Sequence, residues 1–169
     1  MQCPCGSNIS FKKCCFLFIN QEAQALSPEQ LMRSRYSAYA TKSADYIYNT
    51  YAESSRAYQS LTDIFAWAKD TKWLKLTINS ASEYTEIKIK RSANADINED
   101  KSNTVCFSAY YQHQDAYFIM KETSRFIVED NQWRYLDGEV SINEELPTPK
   151  RNELCFCHSN KKFKQCCGS

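Results

Sequence analysis

Eight of the nine cysteines fall into two groups of identical spacing: Cys3, Cys5, Cys14 and Cys15 near one end, Cys155, Cys157, Cys166 and Cys167 near the other. Four thiolates per group match the coordination of structural zinc, which takes sulfur at about 2.3 Å in a closed tetrahedron. Disulfides between the adjacent cysteines are disfavoured, because neighbouring Cα atoms stand about 3.8 Å apart and an ordinary bridge needs about 4.4–6.8 Å. The spacing is unlike that of iron–sulfur ferredoxins, although iron in the same four-sulfur cage is open chemically. The expectation is two zinc ions, one per group, with iron as the alternative metal.

The two groups are copies. CPCGSNISFKKCC at 3–15 and CFCHSNKKFKQCC at 155–167 agree at eight of thirteen positions. Gly6 stands where a tight turn must bring backbone N–H groups towards the sulfurs. His158 takes that place in the second copy, where histidine tolerates a positive φ better than most residues; it is not read as a ligand, because the first copy is complete without it. Phe11 and Phe163 sit at equivalent positions as an apolar floor. Lys12, Lys13, Lys161, Lys162 and Lys164 crowd the same segments. One reading is that they offset the charge of about −2 on a zinc tetrathiolate. The other is that Lys161, Lys162, Phe163 and Lys164 present a basic, aromatic surface to an acidic protein segment or to nucleic acid.

The elements between the clips must position these groups. LSPEQLMRSRYSAYA opens a helix with Ser27 as N-cap, Pro28 at the first position and Gln30 completing a capping box. A second helix is predicted from Ser43, with Ala44, Ile47, Tyr48 and Tyr51 on one face, and a third near Thr62 with Ile64, Phe65 and Ala68. After Trp73 the period falls to two: Leu74, Leu76 and Ile78, then Ile87 and Ile89. An acidic loop is expected from Ser92 to Asn103, then strands at about 104–112 and 116–129. A short strand through Trp133 and Tyr135 should follow a hairpin turn at Asp130 and Asn131. Helices followed by antiparallel strands make an α+β domain.

Such a sheet, curved against helices, can enclose a pocket, with Arg33, Arg35, Tyr36, Glu122, Arg125 and Asp137 as candidate linings. The inward set of the 116–129 strand would be Phe118, Met120, Ser124, Phe126 and Val128, which puts Glu122 among apolar neighbours. Its expected role is a structural ion pair with Arg33 or Arg35, with ligand binding as the alternative. The tyrosines and tryptophans read as core. His113 stands alone, so no nucleophile–base pair assembles, and Cys106 reads as a buried small hydrophobe. With three glycines a glycine-rich phosphate loop is excluded.

The 169 residues suffice for one central domain with small appendages. Lysine and arginine (21) nearly balance aspartate and glutamate (20), so nothing global demands nucleic acid or an anionic membrane. The longest apolar run, Cys14 to Ile19, is far short of the ~18 residues of a membrane span, and MQCPCGS lacks the features of an export signal. A cytoplasmic protein with reduced thiols is expected. NEELPTPKRNE, with Pro147 and Pro149, predicts a stiff tether from which the second clip hangs.

The clusters resemble the SEC-C motif, the zinc-binding tail of the bacterial translocase motor SecA, whose pattern is C-x-C-x8-C followed by cysteine or histidine. Phe156 and His158 depart from its usual proline and glycine. With one motif at each end and SPEQLMRSRYSAYA and SRFIVEDNQWRYLDG between, the chain resembles the YchJ family over nearly its whole length. That resemblance implies a nuclear-transport-factor-2-like cone at 27–140, flanked by clips at 1–20 and 150–169. It further implies a non-enzymatic zinc protein that engages a protein partner, as the SecA tail contacts an export chaperone and the ribosome. The alternative is a small-molecule or enzymatic role for the central cavity.

Overall fold

Ser27 begins the longest helix as its sequence demands. In the computed structural model, which describes residues 1–82 and 103–169, the Ser27 hydroxyl accepts the Gln30 N–H at 3.2 Å and Pro28 opens the helix. The Gln30 side chain reaches one residue further back than in a capping box, accepting the Leu26 N–H at 2.8 Å. Helices α1 (Cys15–Ile19), α2 (Pro28–Thr41), α3 (Ala44–Asn49), α4 (Glu53–Arg56) and α5 (Leu61–Asp70) precede strands β1 (Thr71–Ala81), β2 (Thr104–His113), β3 (Ala116–Glu129) and β4 (Gln132–Leu146). The strands pair antiparallel in chain order, so that β1 and β4 are the edges among the described residues. This is the α+β order expected. The strand expected at Ile87 and Ile89, and all but Asn103 of the acidic loop, lie outside the described residues.

Several local expectations are corrected by tertiary contacts. The helix begun at Ser43 stops at Asn49, so Tyr51 lies beyond it. The 50–52 segment instead bridges to β4, with the Ala52 N–H donating to the Tyr135 carbonyl and the Tyr135 N–H to the Thr50 carbonyl, both at 2.8 Å. In α5, Ile64 and Ala68 are buried but Phe65 is exposed. Asp130 and Asn131 form the β3–β4 turn with φ of 49° and 59°, the double positive φ of a type I′ hairpin. β4 runs to Leu146 and is far longer than the short strand expected. As an edge strand largely exposed after Asp137 it needs no apolar alternation, and Glu139, Glu144 and Glu145 suit an unpaired edge.

Both faces of the sheet are covered, by different parts of the chain. Val105, Phe107, Ala109, Phe126 and Trp133 face α2, packing on Leu31, Met32 and Tyr36. On the other face Tyr110 and Ile119, with Leu74, Tyr117, Ile142 and Leu146 around them, pack against Cys155, Cys157, Phe163 and Cys167. The C-terminal clip is therefore docked on the sheet and does not hang from its proline-containing linker. Its seat depends on a β-bulge between Trp73 and Lys75. The extra residue turns Leu74 towards the clip while Leu76 and Ile78 stay on the helical side, so these three leucine and isoleucine positions do not share a face as their alternation suggested. Among the described residues, no helix is long and apolar enough to cross a membrane.

Candidate functional site

The two cysteine motifs fold into the same structure. In each, the first cysteine N–H closes a loop onto a carbonyl six residues on, Cys3 to Ile9 and Cys155 to Lys161, both at 2.9 Å. Gly6 and His158 both have positive φ, 77° and 55°, so histidine does sustain the turn. Asn8 and Asn160 repeat the left-handed conformation at 61° and 59°. The 3-10 turns Phe11–Lys13 and Phe163–Gln165 then deliver the paired cysteines.

The four sulfurs of each group lie within 4.8 Å of one another. Cys5–Cys14 and Cys14–Cys15 are 3.8 and 3.9 Å apart, and Cys157–Cys166 and Cys166–Cys167 are 3.5 and 3.9 Å. A tetrahedron with metal–sulfur bonds of about 2.3 Å has edges of about 3.8 Å. A disulfide would need about 2.05 Å, and all nine cysteines are free thiols. The arrangement is that of two groups that could each hold a metal ion.

Electrostatics within the clips point the same way. The Cys5 thiol is pulled down to about 4, chiefly by hydrogen bonding from Cys15. Cys15 is pushed up by that same bond and by burial, so one proton is shared between them. Burial raises Cys14 and Cys167 as well. Four crowded sulfurs do not carry four negative charges unaided, which suits a group that could hold a divalent cation. Ser7 and Ser159 contact the Cys14 and Cys166 sulfurs at 3.3 and 3.2 Å, and Ser37 of α2 lies 3.5 Å from Cys3 Sγ. Sequence reasoning missed these serines, though the Ser-Asn pair shared by both copies carried the signal.

The central body holds both clips in the same way. Arg33 donates to the Cys5 carbonyl at 2.8 Å, and Lys75 donates to the Cys157 carbonyl at 2.7 Å. Cys5 and Cys157 are equivalent positions, so each clip receives a body cation at the same atom. Lys12, Lys13, Lys161, Lys162 and Lys164 are all exposed. Phe163, expected beside the last three on a partner-facing surface, is instead buried edge-on against Tyr117 with ring centroids 5.5 Å apart. A Cβ on Gly168 would fall 2.6 Å from its ring.

A cavity of about 200 Å³ opens between α2, α5 and the helical face of the sheet. Of the pocket residues expected, Arg35, Tyr36 and Glu122 line it; Arg33, Arg125 and Asp137 do not. Arg33 pairs with Glu29 at 2.7 Å. Arg125 pairs with Asp137, Nε to Oδ1 at 2.6 Å, on the exposed opposite face, because side chains alternate along β3. The ion pair expected for Glu122 does not form: its Oε1 accepts from Ser124 Oγ at 2.6 Å and from the Tyr135 hydroxyl at 2.9 Å. Arg35, 4% exposed, donates through Nη1 to the Ile47 carbonyl and Thr50 Oγ1, both at 2.7 Å. Its guanidinium lies between the Tyr51 and Tyr135 rings, 4.4 Å from each centroid. Trp67, Trp73 and Tyr39 complete the wall; these aromatics, read as core, are partly that and partly lining. Cys106 is half-buried, near Asn79 Nδ2 at 3.8 Å, and not the buried hydrophobe expected.

Comparison with known sequences agrees with this architecture. A sequence model of the YchJ middle NTF2-like domain matches residues 27–138, and the SEC-C motif matches 2–17 and 151–169. The chain belongs to the YchJ family. A UPF0225 protein of Vibrio vulnificus is 37% identical over 177 residues, covering 98% of both chains. One from Enterobacter sp. strain 638 is 37% identical over 166 residues, covering 98% of this chain and 97% of its own. Among solved structures, a SEC-C motif containing protein from Rhodopseudomonas palustris superposes with a TM-score of 0.67 at 30% identity, over 82% of this chain and 98% of its own. Another from Psychrobacter arcticus gives 0.63 at 25% identity, over 98% and 94%.

Proposed function

We propose that this YchJ family member is a non-enzymatic, cytoplasmic zinc protein in which clips at 1–20 and 150–169 each hold one ion through Cys3, Cys5, Cys14 and Cys15 and through Cys155, Cys157, Cys166 and Cys167. The clips flank a central domain at 27–140, and the C-terminal one engages an acidic protein partner through Lys161, Lys162 and Lys164. The observation that carries the metal reading is the set of sulfur separations of 3.5–3.9 Å in both clips. Zinc is favoured over iron by the resemblance of both clips to the zinc-binding SEC-C motif, and the closed four-thiolate set leaves no position for substrate. A sealed site of this kind acts by holding its segment folded and displayed. The partner reading is supported by three exposed lysines beside such a site, and by analogy with the SecA tail, whose contacts make an export chaperone or the ribosome the partners to try first.

Elemental analysis of protein purified without added metal tests the first part: two zinc ions per chain are expected, iron would revise the metal, and metal-free folded protein would refute the reading. For the second part, Lys161, Lys162 and Lys164 are replaced together by glutamine, leaving every sulfur in place. Binding to an acidic partner protein should weaken and lose its salt dependence. An unchanged affinity, or a preference for RNA over protein, would overturn it.

A further inference from the structure

The cavity holds two charges that the protein itself does not bring together. Arg35 is buried, yet among the described residues no carboxylate lies within ion-pair distance of it; its recorded hydrogen bonds all leave from Nη1. Among the described residues Glu122 takes its hydrogen bonds on Oε1, from two neutral hydroxyls, and Oε2 has no donor. Trp73, in the same wall, buries its Nε1–H out of reach of the void, so its ring lines the cavity while its N–H receives nothing there. A buried cation and a carboxylate oxygen that line one void without being paired to each other point to a molecule that spans them.

The seat of the carboxylate is built into the backbone. Gly138 lies opposite Ser124 in the β3–β4 pair. A Cβ there would fall 2.6 Å from the Tyr135 hydroxyl and 2.5 Å from Glu122 Cδ. Only a glycine leaves room for the carboxylate where it stands, above the hydroxyl of the ring whose face carries Arg35. The cation and the anion are thus held at two ends of a common aromatic support, Tyr135.

Size and charge narrow the occupant. A void of about 150 Å³ takes a benzene ring, so about 200 Å³ takes one ring with small polar substituents. Arg35 calls for an anion and Glu122 Oε2 for an N–H donor, so the occupant offers a carboxylate to one and an amino group to the other. Trp67, 38% exposed, stands at the mouth, and with Trp73 and Tyr39 supplies aromatic surface for the ring. We propose that the central cavity binds a single-ring aromatic molecule carrying a carboxylate, received by Arg35, and an amino group, received by Glu122 Oε2.

The test uses the full metal-loaded chain and 4-aminobenzoate as the probe, following the indole N–H signals of the tryptophans by NMR. The Trp73 signal should shift saturably at millimolar probe or below. The Trp133 signal should stay still, since Trp133 borders a different surface hollow beside Gln132 and Arg134. Benzoate and aniline each lack one polar end and should bind about tenfold more weakly, the worth of one hydrogen bond to a charged group. Glu122→Gln should bring 4-aminobenzoate down to the affinity of benzoate. No saturable Trp73 shift, or equal binding of all three probes to the unaltered chain, would overturn the proposal whether or not the variant folds.

Discussion

Each clip receives one body cation at one carbonyl, so the two contacts can be cut separately. Lys75→Met keeps the aliphatic stem and removes the ammonium that donates to the Cys157 carbonyl at 2.7 Å; Arg33→Met removes the donor to the Cys5 carbonyl at 2.8 Å. A hydrogen bond with one charged member is worth about 1.5–3 kcal/mol. Lys75 is only half-buried, so solvent screening brings the expectation to about 1–1.5 kcal/mol, or about tenfold in metal affinity. That agrees with the ~10–100-fold cost of losing an outer partner of a metal site. The three glycines make the assay local, because Gly6 lies in one clip, Gly168 in the other and Gly138 in β4. As a chelator is titrated in, their amide signals report each clip and the body separately. Lys75→Met should move the Gly168 midpoint about tenfold and leave Gly6 unmoved; Arg33→Met should do the reverse. If both signals moved together in either variant, or neither moved, the cations would not be securing the clips one by one.

Two further expectations follow from the central body. Gly138→Ala drives a methyl into the Glu122 carboxylate and the Tyr135 hydroxyl, and overpacking of this kind costs about 1–3 kcal/mol. The melting temperature should fall by several degrees, and an unchanged melt would show that the carboxylate is not fixed by Ser124 and Tyr135. Tyr36, Tyr39 and Tyr135 are all raised above their ordinary 10.0, in each case first by burial. Groups raised in the folded state contribute stability that is whole below the unfolded value and is lost above it. The chain should therefore lose stability as pH rises past about 10, with the last part of the phenolate absorbance, beyond that of exposed tyrosines such as Tyr58, appearing together with unfolding; the full phenolate absorbance reached in the folded chain would contradict the burial.

The parts legible in the sequence are those fixed by short-range chemistry. The cysteine clips could be read because ligand number and spacing are local, and the left-handed turns at Gly6 and His158 recur where the alignment of the two copies puts them. Ser27 and Pro28 marked a helix start, and Asp130–Asn131 a hairpin, for equally local reasons. What could not be read depends on distant partners. Arg35 is held between the rings of Tyr51 and Tyr135, brought together by a bridge between the 50–52 segment and β4, and is not paired with the Glu122 carboxylate that strand alternation puts on the same face. The face on which the C-terminal clip docks turns on one extra residue at Leu74, and alternation alone cannot reveal a bulge.

That bulge explains why two clips so far apart in sequence serve one strand. Among the described residues β1 is an edge, and an edge strand exposes unpaired backbone groups unless something covers it. Gly6 of the first clip approaches the Leu76 carbonyl, where a Cβ would lie 3.5 Å from the oxygen. Lys75 and Lys72 hold the second clip and the chain end through the carbonyls of Cys157 and Ser169, at 2.7 and 3.3 Å. Free energy of metal binding in so small a segment is folding free energy for that segment, and here each segment is also packed on the sheet or α2. On the proposed zinc reading, the ions therefore stabilise the β1 edge as well as the clips, and loss of either ion exposes part of it.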